Sequence, residues 1–372
     1  MFFHLILTTQ CNLQCKYCFG EANMDFGLAP HGPVDHHLPE RITYSVEELD
    51  KFCRQDLDCS LIFYGGEPLL CTEDVKKIMD NVNAKRFLIQ TNGMLLDRLG
   101  PEYINRLHTI AVSVDGDEAL TDFYRGKGTF KKVVENLHRI KREGFGGELI
   151  ARMTVMEQTD IRRQVEWLLD NDEFSFSSVH WQLNAGFWDD FRRRDFKRWV
   201  EQSYNPGIRR LAGSWVDKIE SGGTVPKLYP FLGALRFLMF ADGRGVLPCG
   251  SGWINYAVQT DGRIIPCPSM WGMRDFYLGH ISDADPLKLK KVFVGGKCQS
   301  CDVFNFCGGR CLYSNVFKRW GDEEYSLVCS TVRALADSVA EQLPRINRLI
   351  EDEVVSLKDF EFTRYNGCEI IP

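Results

Sequence analysis

The placement of its cysteines constrains this chain more than any other feature. Three lie close together as Cys11-x3-Cys15-x2-Cys18. A second array runs Cys249-x12-Gly262-x4-Cys267, then Cys298-x2-Cys301-x5-Cys307-x3-Cys311, then Cys329. In all, 14 cysteines occur in 372 residues, a number that suits a disulfide framework only in an oxidising compartment. The opening ten residues, MFFHLILTTQ, lack the basic region and long apolar run of an export signal. A cytoplasmic protein with reduced thiols is therefore expected. Clustered thiols in that setting point to metal or iron–sulfur sites.

The first spacing lets one loop turn three thiolates toward one point. On a four-iron cubane this leaves one iron without a protein ligand, open to a small chelating molecule. A structural zinc site is the plainer reading, although such sites take four ligands, commonly in pairs. A pair of zinc sites is the corresponding alternative for the second array. Cys53, Cys59, Cys71 and Cys368 stand outside both arrays. Buried cysteine packs as a small hydrophobe, and Cys368, near the end of the sequence, is also a candidate cluster ligand.

With 44% hydrophobic and 26% charged residues, the composition is that of a globular protein. A net charge of −6 gives no global attraction to nucleic acid or anionic membrane. No run of about 18 apolar residues is present to span a bilayer. Strands are expected over 2–7, 60–64, 86–90, 109–114, 149–155 and 179–183. Helices are expected from Ser45, where Ser45 and Glu48 form a capping box, and over 74–83, 130–141 and 162–169. This alternation predicts an α/β fold with a parallel sheet, a partial (β/α)6 TIM-like barrel over residues 1–220. The candidate groups sit just after strands, where ligands bind in such folds. From about residue 241 the alternation fades. A linker over 221–240, a C-terminal cysteine-rich iron–sulfur domain over 241–335 and a helical tail over 336–372 are expected. In the tail, 331–353 reads as a helix interrupted at Pro344.

Cys11-x3-Cys15-x-Tyr17-Cys18, with an aromatic residue before the third cysteine, resembles the signature of the radical S-adenosylmethionine (SAM) superfamily. The resemblance extends to about residue 220. It implies a [4Fe–4S] cluster on Cys11, Cys15 and Cys18 with SAM chelated to the open iron. It also implies reductive cleavage of SAM to a 5′-deoxyadenosyl radical that abstracts hydrogen from a substrate. Gly65-Gly66-Glu67-Pro68 is similar to the family's glycine-glycine-glutamate-proline motif; glycines let backbone approach a ligand, and a carboxylate and carbonyls receive an ammonium group. A tight turn is the plainer reading. Gln90-Thr91-Asn92-Gly93 and Ser113-Val114-Asp115-Gly116 resemble the polar strand ends that contact ribose and carboxylate. Arg125 is similar to an arginine that pairs with the SAM carboxylate in anaerobic sulfatase-maturating enzymes; otherwise it reads as a surface residue near a helix start. The implied SAM contacts are Tyr17, Gly65, Gly66, Glu67, Pro68, Gln90, Asn92, Ser113 and Arg125, with Glu67 and Arg125 at the two ends of the methionine moiety.

The second array resembles the SPASM extension of radical SAM enzymes that modify peptides and proteins, over about residues 245–335. It implies two auxiliary [4Fe–4S] clusters, three clusters in all. Cys249, Cys267 and Cys311 would serve the first, and Cys298, Cys301, Cys307 and Cys329 the second. The relatives' upstream fourth ligand has no cysteine counterpart in 240–248, so that place is open, to a substrate thiolate among others, or filled by another residue. The relatives' aspartate base is replaced by Pro268, which takes no proton and argues against formylglycine formation. A winged N-terminal recognition domain is not expected ahead of the first strand. The substrate would be held by the barrel, a loop over 21–44, the segment 185–235 or a separate protein. The basic run 191–199 reads as a solvated face or an anchor for an acidic peptide. His31, His36 and His37 read as a surface loop or a metal site.

The resemblance implies peptide or protein modification, a peptide or protein substrate, and a low-potential donor of ferredoxin or flavodoxin type, with no nucleic acid or membrane partner. The alternatives are dehydrogenation of a small molecule and a non-catalytic electron carrier, against which a SAM pocket argues. Anaerobic reconstitution should give about twelve iron per chain, and about eight when Cys11, Cys15 and Cys18 are replaced by Ala. An iron assay of both proteins checks this count.

Overall fold

The computed structural model describes residues 1–18, 33–241, 245–367 and 371–372. His31, Cys368 and the 21–32 part of the expected loop lie outside the described residues. Six strands alternate with helices as expected: β1 (Phe2–Ile6), β2 (Ser60–Tyr64), β3 (Arg86–Thr91), β4 (Leu107–Ser113), β5 (Glu148–Val155) and β6 (Ser178–Leu183). They are aliphatic and aromatic runs that pair in chain order, all parallel, and are largely buried because helices cover the sheet. The covering helices are α1 (Val46–Cys53), α2 (Thr72–Asn81), α3 (Glu118–Arg125), α4 (Thr129–Arg142), α5 (Ile161–Leu169) and α6 (Asn205–Gly222). Local signals set their starts. Ser45 and Glu48 close a capping box on α1, while Asp117 and Asp160 cap α3 and α5 through their side chains. Helix α4 buries Phe130, Val133, Leu137 and Ile140 against the sheet at helical spacing.

The sheet extends further than the expected six strands. β7 (Lys227–Leu228) adds to β6, while β8 (Asn255–Val258) pairs parallel with β1 and β9 (Ile264–Ile265) antiparallel with β8. The order is β7-β6-β5-β4-β3-β2-β1-β8-β9, an open partial barrel. Strand β8 lies between Cys249 and Cys267, where the alternation fades in the sequence. Its four residues carry no periodic signal, because its strand character comes from a distant partner. Helix α7 (Tyr229–Phe240) precedes this region, and α8 (Gly321–Ala340) and α9 (Leu343–Glu351) follow it. Helix α8 starts ten residues before the expected 331, so Cys329 lies within it rather than ahead of it. Asp322, Glu323 and Glu324 mark that start, since carboxylates suit a helix N-terminus. Pro344 sits in the first turn of α9, where proline is tolerated.

The chain's own C-terminal segment fills the barrel from the end where the strands begin. Phe362 meets Tyr229 edge-on, Tyr365 meets Phe2, and the Asn366 side chain donates to the Tyr229 hydroxyl at 2.9 Å. Tyr229 in turn donates to Glu148 at 2.9 Å. Asn255 joins this segment to the first strand: its amide nitrogen donates to the Tyr365 carbonyl, and its oxygen lies 2.9 Å from His4 Nδ1. These contacts pack the segment 362–366 against the ends where the strands begin.

Burial pulls the His4 imidazole down to about 4. In the unfolded chain it titrates near 6.5. Between those values the unfolded chain holds the extra proton, so stability falls as pH drops from about 6.5 to about 4. The loss reaches about 3 kcal/mol. His4→Gln should flatten this acid limb, as read by urea unfolding at pH 7 and pH 5.

Candidate functional site

The loop after β1 carries Cys11, Cys15 and Cys18 and is held by backbone from the next strand. The Gly66 amide donates to the Thr8 carbonyl and the Glu67 amide to the Gln10 carbonyl, both at 2.9 Å. A Cβ at Gly65 would stand 2.3 Å from the Thr8 oxygen, and one at Gly66 2.3 Å from the Gln10 oxygen. Gly65 also has φ +145°. These glycines are required because two strand ends approach closely here. The expected reason, room for a ligand, is joined by a structural one: they seat the cysteine loop.

The Glu67 carboxylate is turned inward, against expectation. It is fully buried and accepts from the Leu69 amide at 3.0 Å, the Thr91 hydroxyl at 2.7 Å and the Asn92 amide at 2.8 Å. Burial pushes its pKa up to about 7, while the three donors pull it back. Its side chain therefore ties the ends of β2 and β3. Pro68 opens the short turn Pro68–Cys71 behind it. Asn92 points toward the cysteines, donating to Asn12 at 2.8 Å with Cys11 Sγ at 3.8 Å. Gln90 and Ser113 are half-buried near the ends of β3 and β4.

Arg125 departs from its plainer reading as a surface residue near a helix start. It is neither at the surface nor near a helix start, but buried in the last turn of α3. Its Nε and Nη2 grip the two oxygens of Asp115, each at 2.8 Å. Asp115 further accepts from the Tyr17 hydroxyl at 2.6 Å and the Thr154 amide at 2.9 Å. Most of the arginine fork is thus committed to an internal carboxylate. Tyr17, between Cys15 and Cys18, anchors the cysteine loop to this pair. The Lys16 amide adds a bond to the Tyr124 carbonyl at 2.9 Å.

Burial pushes Cys15 up to about 11, with Arg125 opposing and Cys18 and Cys11 adding. Burial pushes Cys267 up to about 12, with Cys311 and Cys249 adding. Burial pushes Cys307 up to about 12, with Cys329 and Cys298 adding, and raises Cys329, with Cys298 and Cys301 adding. A metal bound at any of these would displace protons, since thiolate is the ligand form. Among the described residues, no three His, Cys, Asp or Glu side chains converge on one point to hold a single ion. A cubane carries its thiolates on separate irons and does not need that convergence. Cys249, Cys267, Cys298 and Cys311 pack in or against a small apolar core with Met270, Leu312 and Tyr313. Cys53, Cys59 and Cys71 are buried in the main core, away from that cluster.

Residues 5–166 match the model of the radical SAM superfamily. The chain carries a radical SAM domain. It is 22% identical over 87% of its length to the cysteine-type anaerobic sulfatase-maturating enzyme of Clostridium perfringens, spanning 91% of that protein. It is 24% identical to the mycofactocin maturase MftC of Mycolicibacterium smegmatis, over 84% of this chain and 78% of that one. In fold it is similar to anSMEcpe with bound AdoMet, with a TM-score of 0.68 at 19% identity, covering 95% of this chain and 100% of that one. A more distant likeness is SuiB of Streptococcus suis bound to its precursor peptide SuiA, with a TM-score of 0.52 at 15% identity over 85% and 72% of the two chains. Among the described residues, no helix is long and apolar enough to cross a membrane.

Sequence reasoning about this radical SAM domain missed three side chains. Asp115 was visible only as part of a polar strand end. Arg152 faces the barrel interior beside Ser113 in register and donates to Gln182 at 2.9 Å. Tyr64, at the end of β2, is raised in pKa by burial, with Arg152 opposing and Cys267 and Cys18 adding. Only the alternation of side chains along β2 and β5 signals the last two. Asp115→Asn leaves the Arg125 guanidinium buried without its charge partner and should destabilise the fold by about 3–5 kcal/mol. Urea unfolding reads the loss, and a cost below about 1 kcal/mol would remove Asp115 from its central role.

Proposed function

We propose that this enzyme modifies a side chain of a peptide or protein by abstracting a hydrogen atom from it. The observation that carries the reading is the cysteine loop itself: three thiols on one turn, seated by Gly65 and Gly66 and tied through Tyr17 to Asp115. Unpaired, neighbouring thiols fit an iron–sulfur group there. Cys11, Cys15 and Cys18 would hold it, and the backbone at Gly65 and Gly66 with Gln90, Asn92 and Ser113 would line the SAM site. When bound, these groups supply an electron and, from SAM, a 5′-deoxyadenosyl radical able to take hydrogen from carbon.

The protein's own residues bind, orient and exclude water. Glu67 fixes the strand ends through its three donors. Asp115 and Arg125 hold Tyr17, and Tyr17 holds the loop. Residues 362–366 pack against the ends where the strands begin, and the cysteine loop follows the carboxyl end of β1. A peptide substrate is supported by the relatives, among them a sulfatase-maturating enzyme and a mycofactocin maturase, and by the fold shared with SuiB, which was solved with a precursor peptide. Cys249, Cys267 and Cys311, and separately Cys298, Cys301, Cys307 and Cys329, would hold two further clusters. A low-potential donor of ferredoxin or flavodoxin type would supply electrons.

The test is anaerobic SAM cleavage with dithionite, followed by co-expression with a peptide encoded beside the enzyme. The intact protein should form 5′-deoxyadenosine, and the Cys11, Cys15 and Cys18 to Ala variant none. The peptide should change mass only with the intact enzyme. 5′-Deoxyadenosine from the triple variant would disprove the assignment of the radical site, while cleavage without any change in peptide mass would move the substrate to small molecules.

A further inference from the structure

Five cations and one carboxylate fall within residues 191–199, in a chain of net charge −6. The structure divides the cations into one that is used internally and four that stay at the surface. Arg194 is 7% exposed. Its Nε and Nη2 hold the two oxygens of Glu157 at 2.7 and 3.1 Å, and Nη1 donates to the Asn184 carbonyl at 2.7 Å. Its guanidinium lies over the rings of Phe196 and Trp320. Trp320 Nε1 donates to Asp190 at 2.8 Å, and Trp199 Nε1 to the Thr159 carbonyl at 3.1 Å. Arg192, Arg193, Lys197 and Arg198 are exposed, and Arg198 pairs with Asp195, itself 54% exposed.

The run is therefore a fastened platform, which lowers the ordering cost of binding to it. Glu157 and Thr159 belong to the turn between β5 and α5, and Asn184 directly follows β6. The platform thus lies beyond the carboxyl ends of β5 and β6. Strands β1 to β6 are parallel, so the cysteine loop after β1 is on the same face. Parallel α/β folds bind their ligands on that face. The start of α5, joined to the platform by the Thr159–Trp199 bond, carries Arg162 and Arg163 and no acidic residue in its first turn. Cations oppose the dipole at a helix N-terminus, and the first turns of α1, α2 and α3 carry carboxylates instead. Arg162 bonds Glu166 at 2.9 Å and Arg163 lies 3.3 Å from Asp117, with Arg163 73% exposed, so these contacts are weak.

We propose that Arg192, Arg193, Lys197 and Arg198, extended by Arg162 and Arg163, form a docking surface for an acidic stretch of the peptide substrate. The proposal rests on the peptide reading given above. The acidic remainder of the chain repels such a stretch, and the platform draws it to the face that carries the cysteine loop. A nucleic acid fits less well, because single strands stack on exposed rings and the platform's Phe196 and Trp199 are buried.

The experiment uses the reconstituted full-length protein and a fluorescein-labelled peptide of alternating Glu and Ser, with binding read by fluorescence anisotropy. Wild type is compared with a platform variant (Arg192→Glu, Arg193→Glu and Lys197→Glu together). The control carries the same charge change at exposed lysines elsewhere: Lys288→Glu, Lys290→Glu and Lys291→Glu. Thermal unfolding and iron content are measured for all three. The platform variant should bind about tenfold more weakly, the control as wild type does, and the difference should fade as salt rises. Equal weakening in both variants would overturn the proposal, since overall charge then decides. So would equally tight binding of a single-stranded DNA of the same charge. The mass-change assay with the co-expressed peptide, run on purified protein with dithionite, gives the second readout. There the platform variant should raise KM about tenfold and leave kcat in place. An unchanged KM on a peptide that is modified overturns this role and leaves the peptide reading standing. A defect seen with flavodoxin as reductant but not with dithionite also overturns it, and gives the surface to the electron donor. No mass change even with wild type would remove the peptide reading, and this role with it.

Discussion

The bidentate contact between Arg125 and Asp115 is the interaction on which the first cysteine loop depends. Both partners are buried, and such a pair is stable only when its remaining hydrogen-bonding capacity is met. Tyr17 and the Thr154 amide meet it. The four groups come from the cysteine loop, the turn after β4, the end of α3 and strand β5. A loop rich in thiols has little apolar surface with which to hold itself in place. Here it borrows order from a charged pair built on the sheet.

The same logic governs the other side of the loop. Gly65 and Gly66 bring the end of β2 against the backbone of Thr8 and Gln10, closer than any side chain would allow. Glu67 then locks that approach from behind with three hydrogen bonds to its carboxylate. Backbone contacts fix where the loop begins, and Tyr17 fixes where it ends. Cys11 and Cys15 lie between these anchors and Cys18 directly follows the second, so the anchors present the three cysteines together.

Much of this was legible in the sequence. The six strands were, because fully buried parallel strands read as apolar runs with turn residues behind them, and the helices were, because their caps and stripes are local. Both cysteine arrays and the glycine pair stood out for the same reason. Strand β8 and the filling of the barrel by 362–367 did not, since each depends on a partner at the far end of the chain. The internal partners of Glu67 and Arg125 were not legible, because a charged residue in a motif suggests a ligand and the groups that meet these two lie on other elements.

The meeting of β1 with β8 and with Asn366 and its neighbours has a consequence for the order of events on the ribosome. Strand β1 and the first cysteine loop are made well before residues 255–258 and 362–367, and one flank of β1 and the base of the barrel stay open until those have been made. During that interval the flank is a row of unpaired backbone groups, the kind of edge that seeks a stranger's strand. A translating chain of this design gains from being shielded until residues 362–367 arrive, and iron delivered before then would meet a loop whose supporting sheet is still incomplete.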